Sequence, residues 1–250
     1  MPSNPESQWF GEKPVNPEDK ASLVRSVFDN VAESYDIMND AMSLGIHRIW
    51  KDRLIAEIKP RAGLTYLDVA GGTGDIAFRI NKQTGDDANI IVCDINYEML
   101  HVGRDRAINK GQIKQYEWVT GNAEYLPIPD NSVDVYTIAF GLRNVTHIDD
   151  ALKEAVRALK PGGRFLCLEF SHVDVPVMDK IYDFYSYKAI PLMGQIIAKD
   201  RDSYQYLIES IRKFPKQDAL QQRMLDAGFD KAKYKNLSHG IACIHEGWVL

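Results

Sequence analysis

Apolar positions in this chain change their period as the chain proceeds. Leu23, Val24, Val27, Phe28 and Val31 recur at helical spacing, which predicts an amphipathic helix from Lys20 onward. The segment ESYDIMNDAMSLGIHRIWKDRLI carries a second stripe, Met38, Met42, Ile46 and Ile49, expected to face the core. The pattern then shifts to short apolar runs bounded by turn residues. The run around Asp68, then Asn89–Asp94, Tyr116–Val119, Val133–Phe140 and Arg164–Phe170, read as buried strands. Between them Ile76–Ile80, Glu98–Asn109 and Asp149–Leu159 read as helices, the last stopped by Lys160-Pro161-Gly162-Gly163. Residues 174–215 break the alternation and read as inserted helices over the ligand edge of the sheet. Gln217–Ala227 is a further helix, and 231–237 and 241–249 form a closing hairpin.

Strands alternating with helices predict an α/β fold, a doubly wound, mostly parallel sheet. The two closing strands add an antiparallel C-terminal hairpin, for a seven-stranded sheet. The expected organisation is a flexible lead-in over 1–19 and a single domain over 20–250, with lid helices at 20–60 and the helical insertion at 174–215. At 250 residues and 45% hydrophobic, the chain can bury one sizeable core. A formal net charge of −5 and the lack of a basic stripe argue against nucleic acid as a partner. Cys93, Cys167 and Cys243 lie far apart in apolar runs without metal-ligand spacing, so buried free thiols and no metal are expected. Pro2, Pro5, Pro14 and Pro17 punctuate a polar start unlike a signal peptide, and no run is long enough to span a bilayer. A cytoplasmic protein is expected, with peripheral contact at the inner face of the membrane as a further possibility.

The chemistry centres on Tyr66–Asp75, YLDVAGGTGD. A strand runs into Gly71, Gly72 and Gly74 and then into a helix, which brings bare backbone and N–H groups beside a ligand. Gly72-x-Gly74-x-x-Ala77 also fits the dinucleotide fingerprint, which is weak alone. Asp68 before the glycines and Asp75 after them would repel a pyrophosphate. They suit a cofactor with a cationic sulfonium and an amino group, S-adenosylmethionine. Asp94 falls about twenty residues past the glycines, where an acid that binds ribose hydroxyls is expected. Asn122 and Ala123 follow the third strand in a turn, where an amide could read an adenine edge or simply make an Asx turn. Gly141-Leu142-Arg143-Asn144 ends the fourth strand at the ligand edge. Tyr35, Asp36 and His47 are hard to explain as core and suggest a lid.

LDVAGGTGD, VCDIN, GNAEYLPIPDNSVD, FGLRNV, LKPGGRFLCLEFS and YDIMNDAMSLGIHRIWK resemble the quinone-biosynthesis C-methyltransferase family over roughly residues 20–250. FGLRNV together with MSLGIHR is the most specific part. The resemblance implies a Rossmann-like class I methyltransferase that uses S-adenosylmethionine. It implies methylation of a ring carbon of a polyprenyl quinol, 2-polyprenyl-6-methoxy-1,4-benzoquinol or demethylmenaquinol, in ubiquinone or menaquinone biosynthesis. It implies cofactor contacts at Thr73, Asp94, Asn122 and Ala123, with Asp68, Gly71, Gly72, Gly74 and Ile95 completing the expected cofactor site. A serine usual in the family is Ala139 here, which puts that position in doubt as a ligand. Ala70 stands where methyltransferases more generally have glycine. Other quinone-biosynthesis enzymes and a second copy of the chain are the expected protein partners.

An aromatic carbon becomes nucleophilic when a neighbouring hydroxyl loses its proton, so the quinol rather than the quinone is the expected substrate. Arg143 ranks first for stabilising the phenolate or orienting a water, with Asn144 beside it. Arginine is a poor base at its ordinary pKa, and its plainer role is to pair with an acid and brace the loop. Tyr35, His47 and Tyr204 are candidates for gripping the ring oxygens. Ala189–Ala198 offers an apolar route for the tail, or else a dimer or core face. The alternatives are a methyltransferase for another amphiphile such as a sterol or fatty acyl chain, an NAD-dependent oxidoreductase, and a non-catalytic cofactor-binding scaffold. The oxidoreductase lacks a Tyr-x-x-x-Lys pair, since Tyr185 and Lys188 stand one residue too close.

Overall fold

The computed structural model describes residues 9–10, 13–16, 20, 45–112, 114–172, 206 and 209–250. Its seven-stranded sheet holds β1 (Thr65–Val69), β2 (Asn89–Asp94), β3 (Tyr116–Thr120), β4 (Val133–Ala139), β5 (Leu159–Phe170), β6 (Lys231–Leu237) and β7 (Ala242–Trp248). Their order across the sheet is β3-β2-β1-β4-β5-β7-β6. The first five are parallel, and β7 pairs antiparallel with both β5 and β6. The strand order reverses between β1 and β4, which opens a crevice at their carboxyl ends. The helices are α1 (Ile46–Ile58), α2 (Asp75–Thr84), α3 (Tyr97–Asn109), α4 (Ile148–Ala158) and α5 (Gln217–Asp226).

The inner strands are apolar on both faces because helices cover both. Along β1, Tyr66 joins one core with Val135, Leu166, Trp50, Leu54 and Ile80. Leu67 and Val69 join the other, with Tyr136, Ile138, Phe165, Leu152 and Met224. This is the period-two alternation of a strand expressed as two layers. Cys93 and Cys167 are buried in the second layer, and Cys243 on β7 is buried as well.

Two elements differ from the sequence expectation. Ile46 and Ile49 are 39% and 58% exposed. The face that α1 buries is His47, Trp50, Lys51, Leu54, Ile55 and Ile58, so the stripe sits about a quarter-turn away from the predicted one. Trp50 fixes that rotation: its ring meets Phe170 edge-on at 5.8 Å, and its Nε1 donates to Ser238 Oγ at 2.9 Å. The second difference is where β5 begins: α4 ends at Ala158, ahead of Lys160-Pro161-Gly162-Gly163 as expected, but the strand starts at Leu159 instead of Arg164. Val133 pairs with Leu159 and Val135 with Arg164, so these four residues form an excursion within β5. Its backbone finds partners in the C-terminal segment: Gly162 N–H donates to Val249 O (2.7 Å) and Val249 N–H to Gly163 O (3.2 Å).

Within the expected lead-in, Trp9 and Phe10 pair with Pro14 and Lys13 in a short antiparallel ladder. The predicted stripe from Leu23 to Val31, Met38, Met42 and most of the insertion fall outside the described residues. Among the described residues no helix is long and apolar enough to cross a membrane.

Leu152 is fully buried between α4 and the sheet. Leu152→Ala is expected to lower the unfolding free energy by about 2–5 kcal/mol in a urea titration, the usual cost of a cavity in a packed core. A loss below about 1 kcal/mol would mean this layer is loosely packed.

Candidate functional site

A cleft opens at the carboxyl ends of β1, β2 and β4. Of the residues singled out from sequence, Asp68, Gly71, Gly72, Thr73, Asp94, Ile95, Asn122, Ala123, Ala139 and Asn144 line it. Gly74, Arg143 and His47 are not on its wall. Tyr35 and Tyr204 lie outside the described residues. Beyond the residues singled out from sequence, Lys51, Met99, Glu124, Phe140 and Thr146 also line the cleft.

The turn after β1 is glycine-rich for steric reasons. A Cβ on Gly71 would stand 2.6 Å from Val92 Cγ1 and 2.9 Å from Asp68 O. Gly74 has φ +82°, and a Cβ there would meet the Trp118 ring at 2.8 Å. The turn closes through Gly74 N–H to Gly71 O (2.8 Å), and Phe78 N–H donates to Gly74 O (2.8 Å). Two non-glycine residues on the wall, Ala70 (φ 50°) and Phe140 (φ 58°), hold the left-handed conformation. Such strain persists where surrounding structure over-determines the backbone, commonly at ligand sites.

The acids divide into distinct roles. Asp68 is buried, and its Oδ1 accepts from Thr137 Oγ1 at 2.8 Å, while Oδ2 has no partner among the described residues. Burial, reinforced by the charges of Asp75 and Asp94, pushes its pKa up to about 7. Asp94 is also raised by burial. Backbone N–H groups work against that rise: Gly72 N–H donates to Oδ2 and Asn96 N–H to Oδ1, each at 2.8 Å. A carboxylate has about four acceptor sites, so Asp94 keeps capacity for a ligand. Asp75 is different. Burial raises its pKa, but Lys51 (2.8 Å) and Arg79 (2.9 Å) outweigh that and hold it below the ordinary value. Of the two acids that frame the glycines, only Asp68 therefore keeps an unpaired oxygen for a cation.

The Leu142–Asn144 turn after β4 is held from beneath. Arg143 is buried, and its Nη1 reaches Glu169 Oε2 at 3.0 Å and also Phe140 O. Glu169 additionally accepts from the backbone N–H of Arg143 (3.2 Å) and of Phe170 (3.1 Å). Arg143, the first candidate for stabilising the phenolate, thus takes the bracing position, off the cleft wall. Asn144 does line the cleft, and its Oδ1 accepts from Tyr206 OH at 3.1 Å. Asn122 Oδ1 accepts from Glu124 N–H at 3.0 Å, an Asx turn. Glu124 in turn accepts from Thr146 N–H (3.0 Å) and stands 2.7 Å from His147 Nδ1. This clamp ties the loop after β3 to the turn after β4.

The Asp68 shift has a signed consequence. Its folded pKa lies above the unfolded value of about 3.9, so the folded state holds the extra proton between the two. The associated stability is present at low pH and is lost as pH rises toward 7. Asp68→Asn stays neutral, so without ligand it should melt roughly 2–4 °C or more above the parent at pH 8, with the gap narrowing below pH 7 and closing only below about pH 4, the unfolded pKa. Equal melting temperatures at pH 8 would show that Asp68 carries no burial penalty.

Residues 15–249 match the ubiE/COQ5 methyltransferase family. The ubiquinone/menaquinone biosynthesis C-methyltransferase UbiE of Brucella abortus (strain S19) is 58% identical over 243 residues, covering 96% of this chain and 90% of the relative. The protein of the same name from Brucella anthropi is 56% identical, covering 96% and 92%. Among solved structures, a SAM dependent methyltransferase from Aquifex aeolicus aligns with TM-score 0.58 and 18% identity, over 80% of this chain and 89% of that one. The [4+2]-cyclase SpnF aligns with TM-score 0.63 and 18% identity, over 88% and 77%. These distant structures speak to the fold alone. A match over nearly the whole length, with relatives this similar, fixes the family: the chain belongs to the ubiE/COQ5 methyltransferase family.

Proposed function

We propose that this protein is an S-adenosylmethionine-dependent C-methyltransferase acting on a ring carbon of a polyprenyl quinol, 2-polyprenyl-6-methoxy-1,4-benzoquinol or demethylmenaquinol. The observation that carries the cofactor is the buried Asp68 carboxylate on the cleft wall, with one oxygen unpartnered among the described residues. A dry carboxylate without a partner calls for a cation, and a dinucleotide offers a pyrophosphate instead. The membership of the ubiE/COQ5 family supports the same choice, and the names of the Brucella relatives support the quinol acceptor.

When bound, S-adenosylmethionine supplies a methyl group already activated by its sulfonium. The chain's part is to hold, align and keep dry. Asp68 would face the cofactor's cationic end. The remaining lone pairs of Asp94 would take ribose hydroxyls. Thr73, Ile95, Asn122 and Ala123 would complete the pocket, and Gly71 and Gly72 let the backbone come close. Ala139 offers only a methyl group, so no hydroxyl contact is assigned to it. Gly74 shapes the turn from behind.

On the acceptor side, Asn144 is the residue of the Leu142–Asn144 turn that reaches the cleft, and it would meet a ring oxygen of the quinol. Arg143 acts through it as a positioning residue, locked by Glu169. Tyr35 and Tyr204 enter as groups that grip the ring oxygens. His47, buried off the cleft wall on α1, is assigned to packing. The segment Ala189–Ala198 is proposed as the apolar route for the prenyl tail, with peripheral contact at the membrane surface delivering it.

Two outcomes follow. Asp94→Ala should raise the Kd for S-adenosylmethionine by about tenfold or more in calorimetry, the usual loss for removing a charged hydrogen-bonding group; an unchanged Kd would take Asp94 out of the site. Turnover should require the reduced acceptor. Equal rates with an oxidised quinone, reductants strictly excluded, would defeat the phenolate mechanism.

A further inference from the structure

The cleft wall carries four carboxylates, Asp68, Asp75, Asp94 and Glu124, and among the described residues a single basic side chain, Lys51. Lys51 comes from α1, outside the glycine loop and outside every segment that follows it. Lys51 is 6% exposed. Its ammonium has one hydrogen-bond partner among the described residues, Asp75 Oδ2 at 2.8 Å. Asp75 is in turn shared, its Oδ1 accepting from Arg79 Nε at 2.9 Å, and Arg79 also pairs with the exposed Asp52. The charges thus form a chain, Lys51, Asp75, Arg79, Asp52, with Lys51 at the end that reaches the cleft. An ammonium has three N–H donors, so two remain for a ligand.

We propose that Lys51 binds the carboxylate of S-adenosylmethionine and so fixes which end of the cofactor lies at α1. The inference rests on the cofactor assigned above. That cofactor has two cationic groups and one anionic group. Asp68 suits the first kind, and neither it nor Asp94 can hold a carboxylate, because like charges in a dry site repel. The anion needs a cation on the wall, and Lys51 is the one the described cleft provides. Rotation of α1 about its axis would remove Lys51 from the wall, and Trp50, wedged against Phe170 and bonded to Ser238, prevents that rotation. The lid-side helix and the cofactor loop are thereby coupled through one ammonium.

The test compares calorimetric Kd values for S-adenosylmethionine and its decarboxylated form on the parent, Lys51→Met and Lys51→Arg. In the parent, removing the carboxylate should weaken binding about tenfold or more. Lys51→Met should weaken S-adenosylmethionine by a similar factor and leave the decarboxylated form within about twofold. Lys51→Arg should restore most of the preference. Equal weakening of both ligands would overturn the proposal and leave Lys51 a brace for Asp75. A loss of turnover with both Kd values unchanged would also overturn it, moving Lys51 to the acceptor. If Lys51→Met does not fold, a crystal structure of the parent with S-adenosylhomocysteine decides: Nζ within about 3.2 Å of the carboxylate supports the contact. A carboxylate held elsewhere, beyond about 5 Å from Nζ, contradicts it. A parent protein that binds neither ligand would instead refute the cofactor assignment itself.

Discussion

A carboxylate taken out of water must meet a cation, gather hydrogen bonds or keep a proton. The ligand edge of this sheet sorts its acids among those three outcomes. Asp94 gathers backbone N–H groups from the glycine turn and from the start of α3. Asp75 meets Lys51 and Arg79. Glu124 is bonded to Thr146 and His147. Among the described acids of the cleft, Asp68 alone is left with an open oxygen, and burial raises its affinity for a proton. The cleft is therefore an acid-lined site with one position poised for a positive ligand, and the fold is arranged to hold that position dry.

The support for this arrangement comes from pairs distant in sequence. Glu169 at the end of β5 holds Arg143, and Arg143 reaches the carbonyl of the strained Phe140. A buried pair of this kind gains little net stability, but loss of one partner leaves a naked charge and is costly. Its role here is geometric, keeping Asn144 at the cleft. Tyr206, within the 174–215 segment, donates its hydroxyl to the same asparagine. The Leu142–Asn144 turn is thus pinned by Glu169 on β5 and by Tyr206.

Much of this was legible in the sequence. Short apolar runs ending in Asp68 and Asp94 marked parallel strands, because strands covered on both faces need no polar alternation. The three glycines marked a turn whose reason is now visible in Val92 and Trp118. Less legible were features set by tertiary contacts. The Lys-Pro-Gly-Gly run carries strong turn chemistry, yet it lies inside β5 because the C-terminal segment supplies its hydrogen bonds. Arg143 looked catalytic because its partner stands 26 residues away on another strand. The rotation of α1 depended on one tryptophan packing against Phe170, which no periodicity reveals. Lys51 drew no notice because it sits in a helix that reads as packing.

The central claim is that the open carboxylate of Asp68 receives the positive charge of S-adenosylmethionine. Proton exchange on binding tests it most directly, measured by calorimetry at pH 6 in buffers of different ionisation enthalpy. With a pKa of about 7, Asp68 is mostly protonated at that pH before binding. A neighbouring cation lowers that pKa, so complex formation should release close to one proton, and Asp68→Asn should abolish the release. Tight binding with no proton released at pH 6, unchanged in Asp68→Asn, would contradict the account.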